Sequence, residues 1–314
     1  MRLFIKKTTF FILYVLAVIS VMQLIISIRI SGRTVNGYDN LDQTSNVDAD
    51  LVFLGSSRCF EHFDPKFFDT TYHVKSINIG VEGHSELSMA IVRLKTYLLQ
   101  NKAPRIAIFS FDPFMKAGSF TNNDNFVNKN TYARYAFFPS KKNRLIVNYF
   151  RFNPLEKYVP MYAIFRYNLF SDAILLNHKS NYVTYGYERH DEKWDGKKGG
   201  YAWVKDYYFK PGEENSLIES LDSLKRLCGA NKIKLVCIQT PVTNACYNEQ
   251  LFSETKKICQ SLHVPFIDAD QGYIRSDMSF FANSYHLNTL GVHKLNEYLR
   301  SDSLFNAYLA PASN

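Results

Sequence analysis

A series of short apolar runs, each closing on glycine or polar residues and separated by stretches of helical period, constrains this chain more than any other feature. Leu51-Val52-Phe53-Leu54 leads into Gly55-Ser56-Ser57, and Val74 to Ile79 leads to Gly80 and Gly83. Ile106-Ala107-Ile108-Phe109 follows, and Ile233 to Ile238 and Pro265-Phe266-Ile267 come much later. Leu87, Ala90, Ile91, Leu94 and Leu98 recur at helical spacing between residues 85 and 100, as do Leu217, Leu221 and Leu224 between 216 and 227. Further helices are expected near 250–262 and 289–299. Short apolar runs with little alternation read as strands covered on both faces. Strands that alternate with helices build a parallel sheet between helical layers. The expected class is α/β.

One run is of another kind. No charge occurs from Thr8 to Ile28, and about twenty apolar residues in a helix reach about 30 Å, the thickness of a bilayer's hydrocarbon core. Arg2, Lys6 and Lys7 precede it and Arg29 and Arg33 follow, so the positive-inside rule puts the N-terminus in the cytoplasm and the remainder outside. A cleaved signal peptide has an apolar core of about 7–15 residues ending in small side chains. This run is longer, Ser27-Ile28-Arg29-Ile30 is a poor cleavage site, and no cysteine lies nearby to carry a lipid. An uncleaved single-pass anchor over residues 1–33 is expected, with a polar tether over 34–48. With 46% apolar and 21% charged residues and a single such run, wholesale disorder and a polytopic membrane protein are both excluded.

The α/β pattern occupies residues 49–113 and 211–314. Residues 114–210 break it, and a 97-residue interruption is too long for an ordinary connection, so a structured insertion is expected. It holds 16 Lys and Arg against 8 Asp and Glu, which is the chain's whole excess of +8, and 24 aromatic residues including Trp194 and Trp203. Such a surface suits a carbohydrate or anionic partner, or an anionic membrane; equally, the rings form the insertion's own core. No nucleic-acid motif appears. Cys59, Cys228, Cys237, Cys246 and Cys259 give an odd count, a bridge such as Cys246–Cys259 is open, and no metal-ligand spacing or cofactor motif is present.

In open α/β sheets, chemistry collects at the carboxyl ends of the strands. Gly55-Ser56-Ser57-Arg58 puts a hydroxyl at a strand-to-helix turn, and Asn78-Ile79-Gly80-Val81-Glu82-Gly83 supplies glycines that let a backbone approach a ligand. Asn283-Ser284-Tyr285-His286 precedes the last expected helix. Asp112 stands at the end of the third strand, within reach of substrate or of Arg58, and Asp268 and Asp270 follow the late strand.

This order of motifs resembles the SGNH/GDSL hydrolase superfamily, over about residues 50–112 and 213–303 and not over the insertion. The resemblance implies a flavodoxin-like three-layer fold with Ser57 as nucleophile and His286 as base. It implies an oxyanion hole from Gly83 and the Ser57 N–H, and assigns Asn78, Arg58 and Asp112 to oxyanion or substrate binding. Two departures stand out. The family's Asp three residues before the His is Asn283 here, whose carbonyl can orient the ring but not balance its charge. The third block reads Ser110-Phe111-Asp112-Pro113 and lacks the usual Asn donor. The acid is then absent, or recruited from elsewhere, with Asp268 and Asp270 as the named candidates. An outward-facing anchored domain of this kind is similar to the accessory proteins of alginate O-acetylation and teichoic-acid D-alanylation. That similarity implies a serine acyl-esterase or O-acyltransferase acting on a cell-surface glycan beside a multispanning membrane acyltransferase. The alternative is a weak or inactive protein of the same fold that binds glycan or that membrane partner.

Overall fold

The strands form because their residues are apolar on both sides. The computed structural model describes residues 1–30, 41–84, 86–116, 126–170, 183–196 and 205–309. Five parallel strands make one sheet: β1 (Leu51–Leu54), β2 (Ser76–Asn78), β3 (Ile106–Ser110), β6 (Lys234–Gln239) and β7 (Phe266–Asp268), in the order β2-β1-β3-β6-β7. Along β1, Val52 and Leu54 face one core, with Ile91, Leu94, Leu217 and Leu221. Leu51 and Phe53 face the other, with Phe63, Phe68, Leu295 and Leu299. Every residue of β1 and β3 is therefore buried, at about 1.5–3 kcal/mol for each large apolar side chain. The helices α4 (Leu87–Leu98), Glu213–Ala230 and Glu249–Ser261 cover the first face, while α3 (Pro65–Tyr72), Thr289–Ser301 and Ser303–Leu309 cover the second. The result is the expected three-layer α/β fold. The chain leaves β1 by α3 on the second face to reach β2, and leaves β3 to reach Glu213–Ala230 on the first face and then β6. The connections therefore diverge at the carboxyl ends of β1 and β3, the switch point at which such sheets form a crevice.

The chain divides into two compact units, residues 43–119 with 181–314 and residues 1–42 with 120–180. The expected insertion, 114–210, is shared between the two units. A two-stranded hairpin, β4 (Val183–Thr184) and β5 (Tyr187–Glu188), is tied to the sheet: the Asn78 N–H donates to the Tyr185 carbonyl at 3.0 Å. The end of the expected tether is also bound, since the Val47 and Asp48 N–H groups both donate to Asn101 Oδ1. Residues 31–40 of that tether and Trp203 lie outside the described residues. All five cysteines are buried free thiols, so the bridge considered between Cys246 and Cys259 is not formed.

The second unit contains α1 (Arg2–Ile30), which is long and apolar enough to cross a membrane. Around its last turns lie short helices at Phe126–Tyr132, Arg144–Tyr149, Pro154–Tyr158 and Tyr162–Arg166. Their inner rings make a core of their own: Tyr132 stacks on Phe150 at 4.8 Å, and Phe152 meets Tyr167 edge-on at 5.9 Å. Buried Glu156 is held by the Tyr167 hydroxyl at 2.7 Å and by Arg166 at 3.2 Å, and it closes a capping box with Asn153.

Candidate active site

The turn after β1 admits only glycine at position 55. Its φ of +150° lies outside the usual L-residue range, and a Cβ there would stand 2.7 Å from Cys59 Cβ. The chain then enters α2 (Ser57–His62) with Ser56 as N-cap, its oxygen accepting from the Arg58 N–H at 3.1 Å. Ser57 is thus the first helical residue above the crevice. His286 comes from the loop between Phe281 and Asn288, pinned by the Ala282 N–H donating to the His286 carbonyl at 2.9 Å and by Asn288 capping the last long helix. His286 Nε2 lies 2.9 Å from Ser57 Oγ, joining groups 229 residues apart.

The other ring nitrogen meets a residue that the sequence reading missed. Glu61 Oε2 lies 3.1 Å from His286 Nδ1, and the side chain is 4% exposed. Glu61 stands four residues after Ser57, so one face of α2 presents both the hydroxyl and the carboxylate. Asn283 does not orient the ring through its carbonyl as expected. Its Oδ1 accepts from the Tyr285 and His286 N–H groups at 3.1 and 3.0 Å, which turns the amide nitrogen toward Nδ1 at 3.1 Å. An amide NH₂ cannot accept the imidazole N–H; the Glu61 carboxylate can.

Around Glu61 the charges are arranged in layers. Burial pushes its carboxyl up, but the His286 and His190 imidazoles outweigh that and hold it below the ordinary value. Burial drives His286 down to about 4, with Glu61 opposing and Arg58 and His190 adding to the fall. His286 is therefore a neutral, proton-accepting ring at pH 7. His190 Nε2 sits 3.1 Å from the same Glu61 oxygen; burial opposes its charge, yet Glu61, Glu188 and Glu192 raise it to about 9. Glu82, hydrogen-bonded to Glu61, is raised to about 8 by burial and by the neighbouring Glu61 and Glu188. Protonated Glu82 and imidazolium His190 thus hold the single carboxylate that faces His286. Glu61, Glu188 and His190 also bring their ligand atoms within 4.8 Å of one another, the set among the described residues nearest to a metal-binding group.

The remaining candidate residues have structural partners. Arg58, fully buried, pairs with Asp112 at 2.9 Å and donates to the Thr240 and Pro241 carbonyls, while Asp112 accepts from the Ser56 hydroxyl. Of the two contacts expected for Asp112, substrate or Arg58, the structure shows the one with Arg58: each neutralises the other beside the turn that carries Ser57. Asn78 is buried and donates to the Cys59 and Phe63 carbonyls while accepting from the Gly80 N–H, fixing the loop after β2 against α2. Gly83 is exposed on that loop with a φ of +72°. His62 Nε2 accepts from the Leu287 N–H at 3.0 Å, fastening the His286 loop to α2. Asp270 pairs with Arg275 at 2.7 Å and does not serve His286; Asp268 Oδ1 accepts from the Asp270 N–H. Trp194 is half-buried, packed on the second core with its backbone N–H donating to the Phe281 carbonyl at 2.8 Å. The serine-to-glutamate interval of four was readable in the sequence; His190 carried no local signal.

No protein-family model and no curated protein matches this chain. Among solved structures it is similar to a "putative acylhydrolase" from Bacteroides fragilis, at 11% identity over 86% of this chain and 96% of that one, with a TM-score of 0.44. It is also similar to a GDSL-like lipase from Bacteroides thetaiotaomicron, at 11% identity over 85% and 90%, with a TM-score of 0.36.

Proposed function

We propose that this chain is a membrane-anchored serine acyl-esterase or O-acyltransferase whose α/β unit works outside the cytoplasm on acyl esters of a cell-surface glycan. The observation that carries the reading is the continuous contact from Ser57 Oγ to His286 at 2.9 Å and from His286 to Glu61 at 3.1 Å. A serine hydroxyl is a poor nucleophile until a base takes its proton. Neutral His286 takes it as Ser57 attacks the acyl carbon, and Glu61 accepts the Nδ1–H and balances the imidazolium that forms. The developing oxyanion is met by the backbone N–H groups of Ser57 and Gly83, a contribution often the largest single one in acyl transfer. His286 then returns the proton to the leaving alcohol, and water or a sugar hydroxyl takes the acyl group from Ser57.

Glu61 supports a working enzyme over an inactive binding protein, because it supplies the charge that Asn283 lacks. The apolar helix α1 supports the anchor, and its flanking Arg2, Lys6 and Lys7 support an N-terminus in the cytoplasm. An anchored esterase on the outer face has surface glycans and a membrane acyltransferase as its natural acyl acceptors and donors. The test is turnover of a small aryl acetate. Ser57→Ala and His286→Ala are each expected to abolish it with the fold intact, and a serine-directed phosphonate should label the wild type at Ser57 only. Equal turnover in all three proteins would end the proposal.

A further inference from the structure

The unit built on α1 has a surface that the esterase reading does not use. No residue of the stretch Leu3–Met22 is buried, and twenty helical residues rise about 30 Å, the depth of the hydrocarbon core. The first buried residue is Gln23, a polar one. Its Oε1 accepts from the Met161 N–H at 2.7 Å, and its Nε2 donates to Ser27 Oγ at 3.0 Å. Ser27 in turn donates to the Arg134 carbonyl at 3.3 Å. A buried amide with backbone partners is where such a helix leaves lipid and enters protein.

The segments that meet α1 there straddle that level. Ile19 lines one open groove with Val159, Tyr162 and Phe165; Ser20 and Leu24 line another with Phe137 and Phe138. On the outside of these segments, Phe138, Tyr158 and Phe165 are 63%, 60% and 64% exposed, with Leu155 and Val159 also uncovered. Phe138 and Tyr158 meet edge-on at 5.6 Å, so this is a built aromatic pair rather than scattered side chains. Cations stand beside the rings: exposed Lys141, Lys142 and Arg144 follow Phe138, Lys157 precedes Tyr158, and Arg166 follows Phe165. Residues 120–180 carry nine basic and three acidic side chains.

We infer that the 129–168 region is a collar seated in the membrane interface, with Phe138, Tyr158 and Phe165 inserted at headgroup depth and its lysines and arginines on anionic lipid phosphates. Aromatic rings concentrate at that depth, and each basic residue near an anionic leaflet adds about 1 kcal/mol. The exposed rings, costly in water, are then covered by lipid, and the collar fixes how far α1 can slide along the bilayer normal. The inference rests on the anchor part of the proposed function and is independent of the chemistry at Ser57.

The test uses the full chain in phosphatidylcholine–phosphatidylglycerol vesicles carrying brominated acyl chains, with tryptophan placed by Phe138→Trp, Phe165→Trp and Leu13→Trp in separate proteins. Leu13 lies midway along the exposed stretch of α1 and reports the anchor alone. For positions 138 and 165, emission is expected to shift to the blue and to be quenched beyond the wild-type background of Trp194 and Trp203. Bromines near the glycerol end should quench these two more than bromines near the methyl end, with the reverse order at position 13. Quenching at 13 with none above background at 138 and 165 overturns the collar and leaves the anchor standing. Absence of quenching at all three positions overturns the anchor, and the collar with it.

Discussion

Glu61 places a carboxylate against His286 where Asn283 places an amide nitrogen. Asn283 occupies the position where a carboxylate is expected, but its oxygen is committed to two backbone N–H groups. The carboxylate beside His286 instead stands one turn beyond Ser57 on α2. Glu61→Gln is expected to lower kcat on an aryl acetate by about 10³–10⁴-fold, in line with losing the acid of a serine triad, with KM nearly unchanged. Asn283→Asp should gain less than about tenfold, because the carboxylate role is already filled. The pH dependence follows from the directions of the shifts. His286 must be neutral to act, so kcat/KM rises as pH passes upward through about 4. It falls above about 8, where Glu82 and then His190 release the protons that hold Glu61 in place. His190→Gln keeps a neutral donor at that position; a pH–rate profile should show its kcat reduced and the loss at high pH confined to the Glu82 step.

At the scale of elements, the six residues of α2 concentrate most of the site: Ser57, buried Arg58, Glu61 and His62 all project from it. Arg58 and Asp112 form a buried ion pair, and removing one partner leaves the other charged in a dry environment. Arg58→Met should therefore cost about 3–5 kcal/mol, measured by urea unfolding, with Arg58→Met/Asp112→Asn recovering part of the loss. The strands that carry these elements were legible because burial on both faces leaves a plain apolar signature, as in Leu51–Leu54 and Ile106–Phe109. Ser57 and His286 were legible because they follow a strand end and precede a helix in a recognisable order. His190 was not. It reaches Glu61 from a hairpin without apolar period, and its partner lies 129 residues away along the chain. The same lack of period marks the helices between Phe126 and Arg166, whose five to seven residues are shorter than the window that reveals amphipathicity.

For the whole molecule, the two units have separate demands: one needs a precise crevice, the other an apolar helix with a collar of rings and cations. Full-length protein is expected to remain in the membrane pellet after an alkaline carbonate wash, and its appearance in the supernatant would remove the anchor from the proposal. The order of the chain adds a consequence in time. All five strands of the sheet precede His286, whereas the Thr289–Ser301 and Ser303–Leu309 helices that cover its second face follow it, so the imidazole reaches Ser57 only as that face is closed. Until that trailing segment docks onto α2, the Ser57 hydroxyl has no imidazole beside it.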